Sequence, residues 1–185
     1  YKIMKNYYSK TELNKFNFKK IEKNVLISRR ASIIDPKNII IGDNSRIDDF
    51  SLLYGNIYIG KNVHITPMCL VGAGKTKITI NDFCTLSYGV KVFSQSDDYI
   101  DGFMTGSTIS SELKKDIKKP VVLEKYVILG ANSVVFPGCR LSEGTSVGAM
   151  SLILKNTKKW SLYFGVPARY IKKRKKILLR KTISK

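Results

Sequence analysis

Histidine is nearly absent from this sequence, since its 185 residues include only His64. A metal site built from several histidines is therefore excluded. The three cysteines, Cys69, Cys84 and Cys139, are odd in number and widely spaced, which argues against a disulfide framework. No apolar run approaches the roughly 18 residues of a membrane span, and no secretory signal is visible. We therefore expect a cytoplasmic protein without a metal cofactor.

Acidic residues are also few: 14 Asp and Glu stand against 33 Lys and Arg, a formal net charge of +19. This balance favours anionic partners such as nucleic acid, a membrane surface or a phosphorylated small molecule. A surface of solvated lysines would explain the same charge without any binding function. Only clustering of the charge separates the two explanations, and basic residues are dense in the tail after residue 170.

The strongest pattern is an aliphatic residue at every sixth position. A period of six matches neither the 3.6 residues of a helical turn nor the alternation of an isolated strand. It predicts short strands joined by turns, with one side chain of each strand in a narrow core, which is the hexapeptide pattern of a parallel β-helix. The positions are Ile41, Ile47, Leu53, Ile59, Ile65 and Val71, then Ile80, Leu86 and Val92, and later Leu123, Leu129, Val135, Leu141, Val147 and Ile153.

This pattern divides the chain into three segments. Residues 1–24 lack it and form a predicted N-terminal cap with a short helix over about residues 10–15, because Ser9 and Glu12 have the spacing of a capping box. Residues 25–160 form the predicted β-helix, interrupted by an inserted loop over 93–120 whose length indicates a functional role. Residues 161–185 form a basic tail, which we predict to be a short helix.

Two motifs point to a family. The stretch LGANSVVFPG (129–138) and the ending GVPAR (165–169) resemble those of the left-handed β-helix acyltransferases, the hexapeptide-repeat family, of the sugar O- and N-acetyltransferase type. The resemblance covers nearly the whole chain, from Asn24 to Lys173. It implies an all-β, left-handed parallel β-helix and a homotrimer with active sites in the clefts between neighbouring prisms. The implied reaction moves an acetyl group from acetyl-CoA to a sugar hydroxyl or amine, for surface-polysaccharide or nucleotide-sugar synthesis.

The resemblance also implies where coenzyme A binds. Small side chains just after an inward aliphatic residue would let the pantetheine arm approach backbone amides. Basic side chains near the C-terminal end would bind the phosphates through charge-assisted hydrogen bonds. The implied contacts are Ser87, Ala131, Ala149, Lys155, Arg169 and Lys173. Each alanine taken alone is equally well explained by the need of coil turns for small residues.

Acyl transfer to a hydroxyl or amine requires a general base beside the acceptor. Histidine is the usual base because imidazole titrates near neutrality. His64 immediately precedes the inward Ile65, so its side chain is predicted to face outward into the cleft. Asp97 is predicted to orient His64, and Asp98 is the second candidate for this role.

The sequence departs from the family in one respect. The well-known sugar acetyltransferases carry their base histidine in the loop after the middle coils, which corresponds here to residues 95–98, and no histidine occurs there. Three explanations stay open: His64 acts from a neighbouring coil, Asp97 or Asp98 is the base, or the protein is inactive. A carboxylate of ordinary pKa is a weak base for a hydroxyl, which favours His64. Tyr88 and Tyr99 are candidates for stacking against the sugar, although aromatic residues in such coils often only pack.

The alternative to an enzyme is a catalytically inactive β-helix that binds an anionic polymer or another partner through its basic tail. The expected partners of the enzyme are a sugar or nucleotide-sugar acceptor and two further copies of the chain, with no nucleic acid. A peripheral membrane contact through the basic tail stays open.

Overall fold

In a computed structural model of the chain, residues 6–176 are described. They fold as a left-handed parallel β-helix, a prism with three faces, as the six-residue period predicts. Seven successive coils contribute parallel strands to one of these faces. No helix within the described range is long and apolar enough to cross a membrane.

Short strands joined by tight turns account for most of the described residues. One α-helix, α1 (Lys10–Leu13), precedes them, and turns of 3₁₀ helix cover Asn14–Phe16, Pro36–Asn38 and Ser111–Leu113. In chain order the strands are β1 (Lys20–Ile21), β2 (Leu26–Ile27), β3 (Ser32–Ile34), β4 (Ile39–Ile41), β5 (Arg46–Ile47), β6 (Leu52–Ile59), β7 (His64–Ile65), β8 (Leu70–Ile80), β9 (Thr85–Leu86), β10 (Lys91–Phe93), β11 (Gln95–Asp97), β12 (Asp116–Lys118), β13 (Val121–Leu123), β14 (Ile128–Leu129), β15 (Val134–Val135), β16 (Arg140–Leu141), β17 (Ser146–Val147), β18 (Leu152–Ile153), β19 (Ser161–Phe164) and β20 (Arg169–Lys173).

We call the three sides of the prism face A, face B and face C. Face A is the sheet β2-β5-β7-β9-β14-β17-β19-β20, in which β20 alone is antiparallel to its neighbour. Face B contains β3, β10, β15 and β18 with the first part of β6 and β8. Face C contains β1, β4, β13 and β16 with the second part of β6 and β8. Because β6 and β8 bend around the corner between them, faces B and C form one continuous sheet.

The aliphatic residues of the six-residue period form the core. All fifteen positions of this period named above, from Ile41 to Ile153, are at most 2% exposed, as predicted. Parallel pairing aligns each one with its counterparts on the neighbouring coils. Ile65, for example, lies between Ile47 on the preceding coil and Leu86 on the following coil. Burying one such side chain contributes about 1.5–3 kcal/mol, so this ladder is the main source of stability.

The N-terminal segment covers the open first coil. Ser9 Oγ accepts a hydrogen bond from the Glu12 backbone at 3.3 Å, and the Glu12 carboxylate accepts one from the Ser9 backbone at 2.8 Å. This capping box starts α1 at Lys10, which confirms the predicted helix. Leu13, only 6% exposed, belongs to the core cluster, so the helix shields the first coil from water.

The inserted loop leaves the prism after β10 and returns at β13. Its two ends form the antiparallel pair β11–β12, in which Gln95 lies opposite Lys118 and Asp97 opposite Asp116. This pair gives the loop a base of fixed geometry, and the functional role of the loop stays a prediction.

The basic tail differs from its prediction. Arg169–Lys173 form the strand β20, antiparallel to β19, where a helix is predicted. Gly165, at φ +101°, allows the chain to reverse between the two strands. The added strand covers the edge that β19 would otherwise expose. Pairing with this edge stabilises an extended backbone relative to a helix. The remainder of the predicted helix, residues 177–185, lies outside the described residues.

Candidate active site

Face A carries polar side chains on both sides of its inward aliphatic row. Parallel pairing aligns Arg46 with His64 and His64 with Thr85. The residues that follow the inward positions on the same coils are Asp48, Thr66 and Ser87. Because both neighbours of an inward residue point away from the core, His64 faces outward as predicted, with 40% of its side chain exposed.

His64 is held by a buried carboxylate on the preceding coil. Its Nε2 lies 2.8 Å from Asp48 Oδ2. The other carboxylate oxygen, Asp48 Oδ1, accepts hydrogen bonds from the Tyr7 hydroxyl and from Arg46 Nε, each at 2.6 Å. The side chain of Asp48 is only 6% exposed, so three donors converge on a carboxylate that is largely withdrawn from water.

The electrostatics of this cluster favour an ionised Asp48. Burial alone would raise the pKa of its carboxyl, but hydrogen bonds from Arg46, Tyr7 and His64 outweigh burial and hold that pKa below its ordinary value. Burial and the hydrogen bond to Asp48 raise the pKa of Tyr7 to about 12. Tyr7 therefore stays neutral at neutral pH and donates a hydrogen bond to Asp48.

Asp97 lies on a different part of the prism. It ends β11 in the inserted loop, which leaves from face B, whereas His64 lies on face A. With Tyr54 and Lys114 it lines a pocket of about 310 Å³ at the base of the loop. Within one chain, the orienting contact predicted between Asp97 and His64 is therefore made by Asp48 instead.

Asp98 and Tyr99 have partners inside the loop. Asp98 Oδ1 accepts a hydrogen bond from the Ile100 backbone at 2.9 Å, and Oδ2 lies 3.6 Å from Lys115 Nζ. The backbone of Ile100, more than the charge of Lys115, holds the pKa of Asp98 below its ordinary value. The hydroxyl of Tyr99 accepts from Ser96 Oγ at 3.1 Å, while 73% of the residue is exposed. These contacts stabilise the loop turn, and the catalytic and sugar-stacking roles stay predictions.

The small residues predicted for coenzyme A follow the corner between face A and face B. Because β9, β14 and β17 pair in register, Ala131 and Ala149 align with each other and with Tyr88, while Ser87 lies one residue earlier. Ser87 and Ala131 are half-buried, and Ala149 is exposed. Tyr88, 64% exposed, takes the place that alanine has on the next two coils. Three consecutive coils thus present Tyr88, Ala131 and Ala149 along one line, with Ser87 beside it.

A basic basin lies at the C-terminal end of the prism. Its volume is about 650 Å³, and Lys158, Lys159, Trp160, Lys173 and Lys176 are among the residues that line it. The ammonium group of Lys176 lies 5.0 Å from the centre of the Trp160 ring. Such a cluster of cations around an aromatic ring suits a ligand that carries phosphates.

Only one of the three predicted phosphate ligands lines this basin. Lys173 does so, whereas Lys155 and Arg169 are exposed and lie outside its lining. Arg174, next to Lys173, donates to the backbone carbonyls of Tyr126 and Gly144, both at 3.0 Å. These bonds anchor the end of β20 to earlier coils and fix the position of the basin.

Sequence reasoning missed Asp48, Arg46 and Tyr7. The period of six contains the signal for the first two, because Asp48 follows the inward Ile47 just as Ser87 follows Leu86. Extending that register by one coil from His64 would have placed Arg46 directly opposite it and Asp48 two residues further along the same face. Tyr7 lies in a segment without repeats, and its contact with Asp48 depends on how that segment crosses the prism.

Comparisons with known proteins agree with this architecture. Residues 38–73 match the family model for the bacterial transferase hexapeptide (six repeats). A dTDP-4-amino-4,6-dideoxy-D-glucose acyltransferase of Escherichia coli is 34% identical over 176 residues, which cover 94% of this chain and 91% of the relative. The galactoside O-acetyltransferase of Escherichia coli strain K12 is 26% identical over 153 residues, 79% of this chain and 69% of the relative.

Solved structures include a match over nearly the full chain. The N-acyltransferase AntD from Bacillus cereus, in complex with dTDP and 3-hydroxybutyryl-CoA, has a TM-score of 0.94 and 39% sequence identity. The match covers 97% of this chain and 95% of that one. Another AntD structure contains dTDP-4-amino-4,6-dideoxyglucose and coenzyme A.

Proposed function

The chain belongs to the hexapeptide-repeat acyltransferases, and from this membership we propose that it transfers an acetyl group from acetyl-CoA to the amino group of a dTDP-linked 4-amino-4,6-dideoxy sugar. The observation that carries the proposal is the match over nearly the whole chain to AntD, an N-acyltransferase with bound dTDP and acyl-CoA. The E. coli relative, matched over 94% of this chain, acts on the same class of aminosugar by its name. An amine acceptor is therefore favoured over a hydroxyl.

The proposed coenzyme A site runs along the corner between face A and face B. The pantetheine arm would pass Ala131 and Ala149, which align on two consecutive coils, and Ser87, which lies one residue earlier on the coil before them. Arg169, which lies opposite Phe164 at this edge of face A, would contact a phosphate, with Lys155 and, in the basic basin, Lys173 as further ligands. A cleft between two copies of the chain would close this strip, which is why we propose a homotrimer.

In the proposed reaction, the neutral amine attacks the carbonyl carbon of the thioester. A C–N bond forms as a tetrahedral intermediate, the C–S bond then breaks, and the thiolate of coenzyme A leaves. The nitrogen loses one proton to a base, and the thiolate takes up one proton. The protein must therefore supply a base beside the amine and donors for the developing oxyanion.

His64 is the base that we propose. It faces outward on face A, its ring is partly open to solvent, and Ser87 lies diagonally across from it on the next coil. Ser87 of the proposed coenzyme A site and the proposed base are thus adjacent on one surface. Histidine is also suited to accept a proton at neutral pH without further activation.

Asp97 is a second candidate for the base, favoured by a specific observation. Solved AntD structures include variants at one serine and one aspartate that are ten residues apart. Ser87 and Asp97 are also ten residues apart. An amine acceptor strengthens this candidate, because the ammonium form of an amine with a pKa of about 8, as in a peptide α-amino group, is far easier to deprotonate than a hydroxyl.

The proposed function is tested by the release of free coenzyme A thiol from acetyl-CoA, with the product identified by mass spectrometry. The acceptor is dTDP-4-amino-4,6-dideoxyglucose, and the matched control is the dTDP-6-deoxy sugar with a hydroxyl at carbon 4. We expect thiol release that depends on the amine and an acetamide product. Release with the hydroxyl control alone would contradict N-acylation. No release with either acceptor would support the inactive binding module instead.

A further inference from the structure

Asp48 makes the orienting contact of His64, although the sequence pattern points to Asp97. The carboxylate of Asp48 lies 2.8 Å from Nε2 of His64, and the two residues come from adjacent coils of face A. Asp48 is also the most buried member of the cluster, at 5% exposure. A buried carboxylate with three donors has a fixed position, so it can fix the ring that it contacts.

From this geometry we propose that Asp48 is the positioning residue of the acyl-transfer site, holding His64 in the Nε2–H tautomer so that Nδ1 is the proton-accepting atom. The inference rests on the proposed function, in which His64 is the base. An ionised carboxylate only accepts hydrogen bonds, so the proton between the two groups belongs to Nε2. In neutral imidazole the other nitrogen then carries the free lone pair.

Tyr7 and Arg46 complete this arrangement. Both donate to Asp48 Oδ1 at 2.6 Å, which leaves Oδ2 for His64. Tyr7 belongs to the N-terminal segment, whose backbone bridges to Ser28 on the first coil. The N-terminal cap therefore does more than cover the core, because it supplies one of the two groups that fix the carboxylate.

The neighbouring carboxylate provides a matched control. Asp49 follows Asp48 in the same turn, but its partners are the hydroxyl of Ser28 and the guanidinium of Arg30, the latter at 3.4 Å. Among the described residues it makes no hydrogen bond or ion pair with His64. Asp49→Asn therefore removes a charge at the same corner without touching the imidazole.

The first test is spectroscopic and does not depend on activity. Because the sequence contains a single histidine, the imidazole signals of tag-free protein labelled with ¹⁵N-histidine belong to His64 alone. We expect the Nε2–H tautomer in the wild type and in Asp49→Asn, and a mixture of tautomers in Asp48→Asn. An Nδ1–H tautomer in the wild type would overturn the proposal.

The second test is a double-mutant cycle on turnover. Asp48→Asn should lower kcat by about tenfold to a hundredfold with little change in the KM for acetyl-CoA, because the base remains but is misoriented. If Asp48 acts through His64, the same substitution should have no further effect in the His64→Ala background. An equal loss in both backgrounds would indicate a structural role and refute the proposal. Tyr7→Phe, which leaves the carboxylate in place, should lower kcat by a smaller factor and covers the case in which Asp48→Asn fails to fold.

The outcomes separate this inference from the proposed function. Normal turnover in His64→Ala would overturn the role of Asp48 and leave the transferase intact. Absence of turnover in the wild type, with both acceptors, would overturn the two together.

Discussion

Replacing His64 by alanine is the most informative single perturbation of this protein. General-base catalysis contributes about 10²–10⁴-fold, which at about 1.36 kcal/mol per tenfold corresponds to about 2.7–5.4 kcal/mol in the barrier. The effect on folding should be much smaller. His64 is 40% exposed and contributes one hydrogen bond to Asp48, which keeps its bonds from Tyr7 and Arg46. We expect a loss of about 1–2 kcal/mol in stability, within the 5–15 kcal/mol typical of a folded domain.

The assay is thiol release at saturating acetyl-CoA and acceptor, with coenzyme A affinity measured by calorimetry and assembly measured by light scattering. His64→Ala should lose about 10²–10⁴-fold in turnover and keep its affinity and assembly. Asp97→Asn should cost less, and Asp101→Asn, in the same loop, serves as its control. Wild-type turnover in His64→Ala together with an inactive Asp97→Asn would refute this reasoning and make the loop carboxylate the base. If the wild type has only very low turnover and both variants have the same turnover, the interpretation of the protein as an enzyme fails.

Four further outcomes are expected. Leu129→Ala should destabilise the chain by about 2.7–5 kcal/mol and Ile128→Ala by clearly less, because Leu129 is fully buried and its neighbour is not; equal changes in denaturation midpoint would contradict the register. Lys173→Ala or Arg169→Ala should weaken coenzyme A binding by about 1.5–3 kcal/mol in calorimetry, and unchanged affinity in both would move the phosphate site elsewhere. Light scattering should report three times 20.9 kDa, and a monomer mass at micromolar concentration would argue against a shared cleft. Stability should fall as pH rises from 10 towards 12, because an unfolded tyrosine ionises near 10 while the folded pKa of Tyr7 is about 12; the loss should be smaller in Tyr7→Phe, by up to about 2.7 kcal/mol.

The period of six made the architecture predictable. A coil of a β-helix repeats the same local geometry, so each inward position must satisfy the same requirement for an aliphatic side chain. Ile65, Leu86 and Leu129 could therefore be assigned to the core without coordinates, and all are fully buried. The capping box at Ser9 was also predictable from the sequence, because its hydrogen bonds join residues only three positions apart.

The basic tail shows where local reasoning ends. A short stretch with a single aliphatic residue, Ile171, followed by a run of basic residues is compatible with a helix or a strand at this length. The decision depends on the exposed edge of β19, which pairs with Arg169–Lys173 and is invisible in the local sequence.

The β-helix, the outward direction of His64 and the family follow from local periodicity and short motifs, so they could be predicted without coordinates. Which carboxylate holds the imidazole depends instead on tertiary contacts. Asp48 precedes His64 by one coil, and Tyr7 reaches the same carboxylate across 41 positions in sequence. Asp97 lay in the expected loop but on another side of the prism, since the loop leaves from face B. The stacking of the coils and the path of the N-terminal segment across them determine which polar side chains are in contact. These contacts join residues that are far apart in the sequence, so no local pattern predicts them.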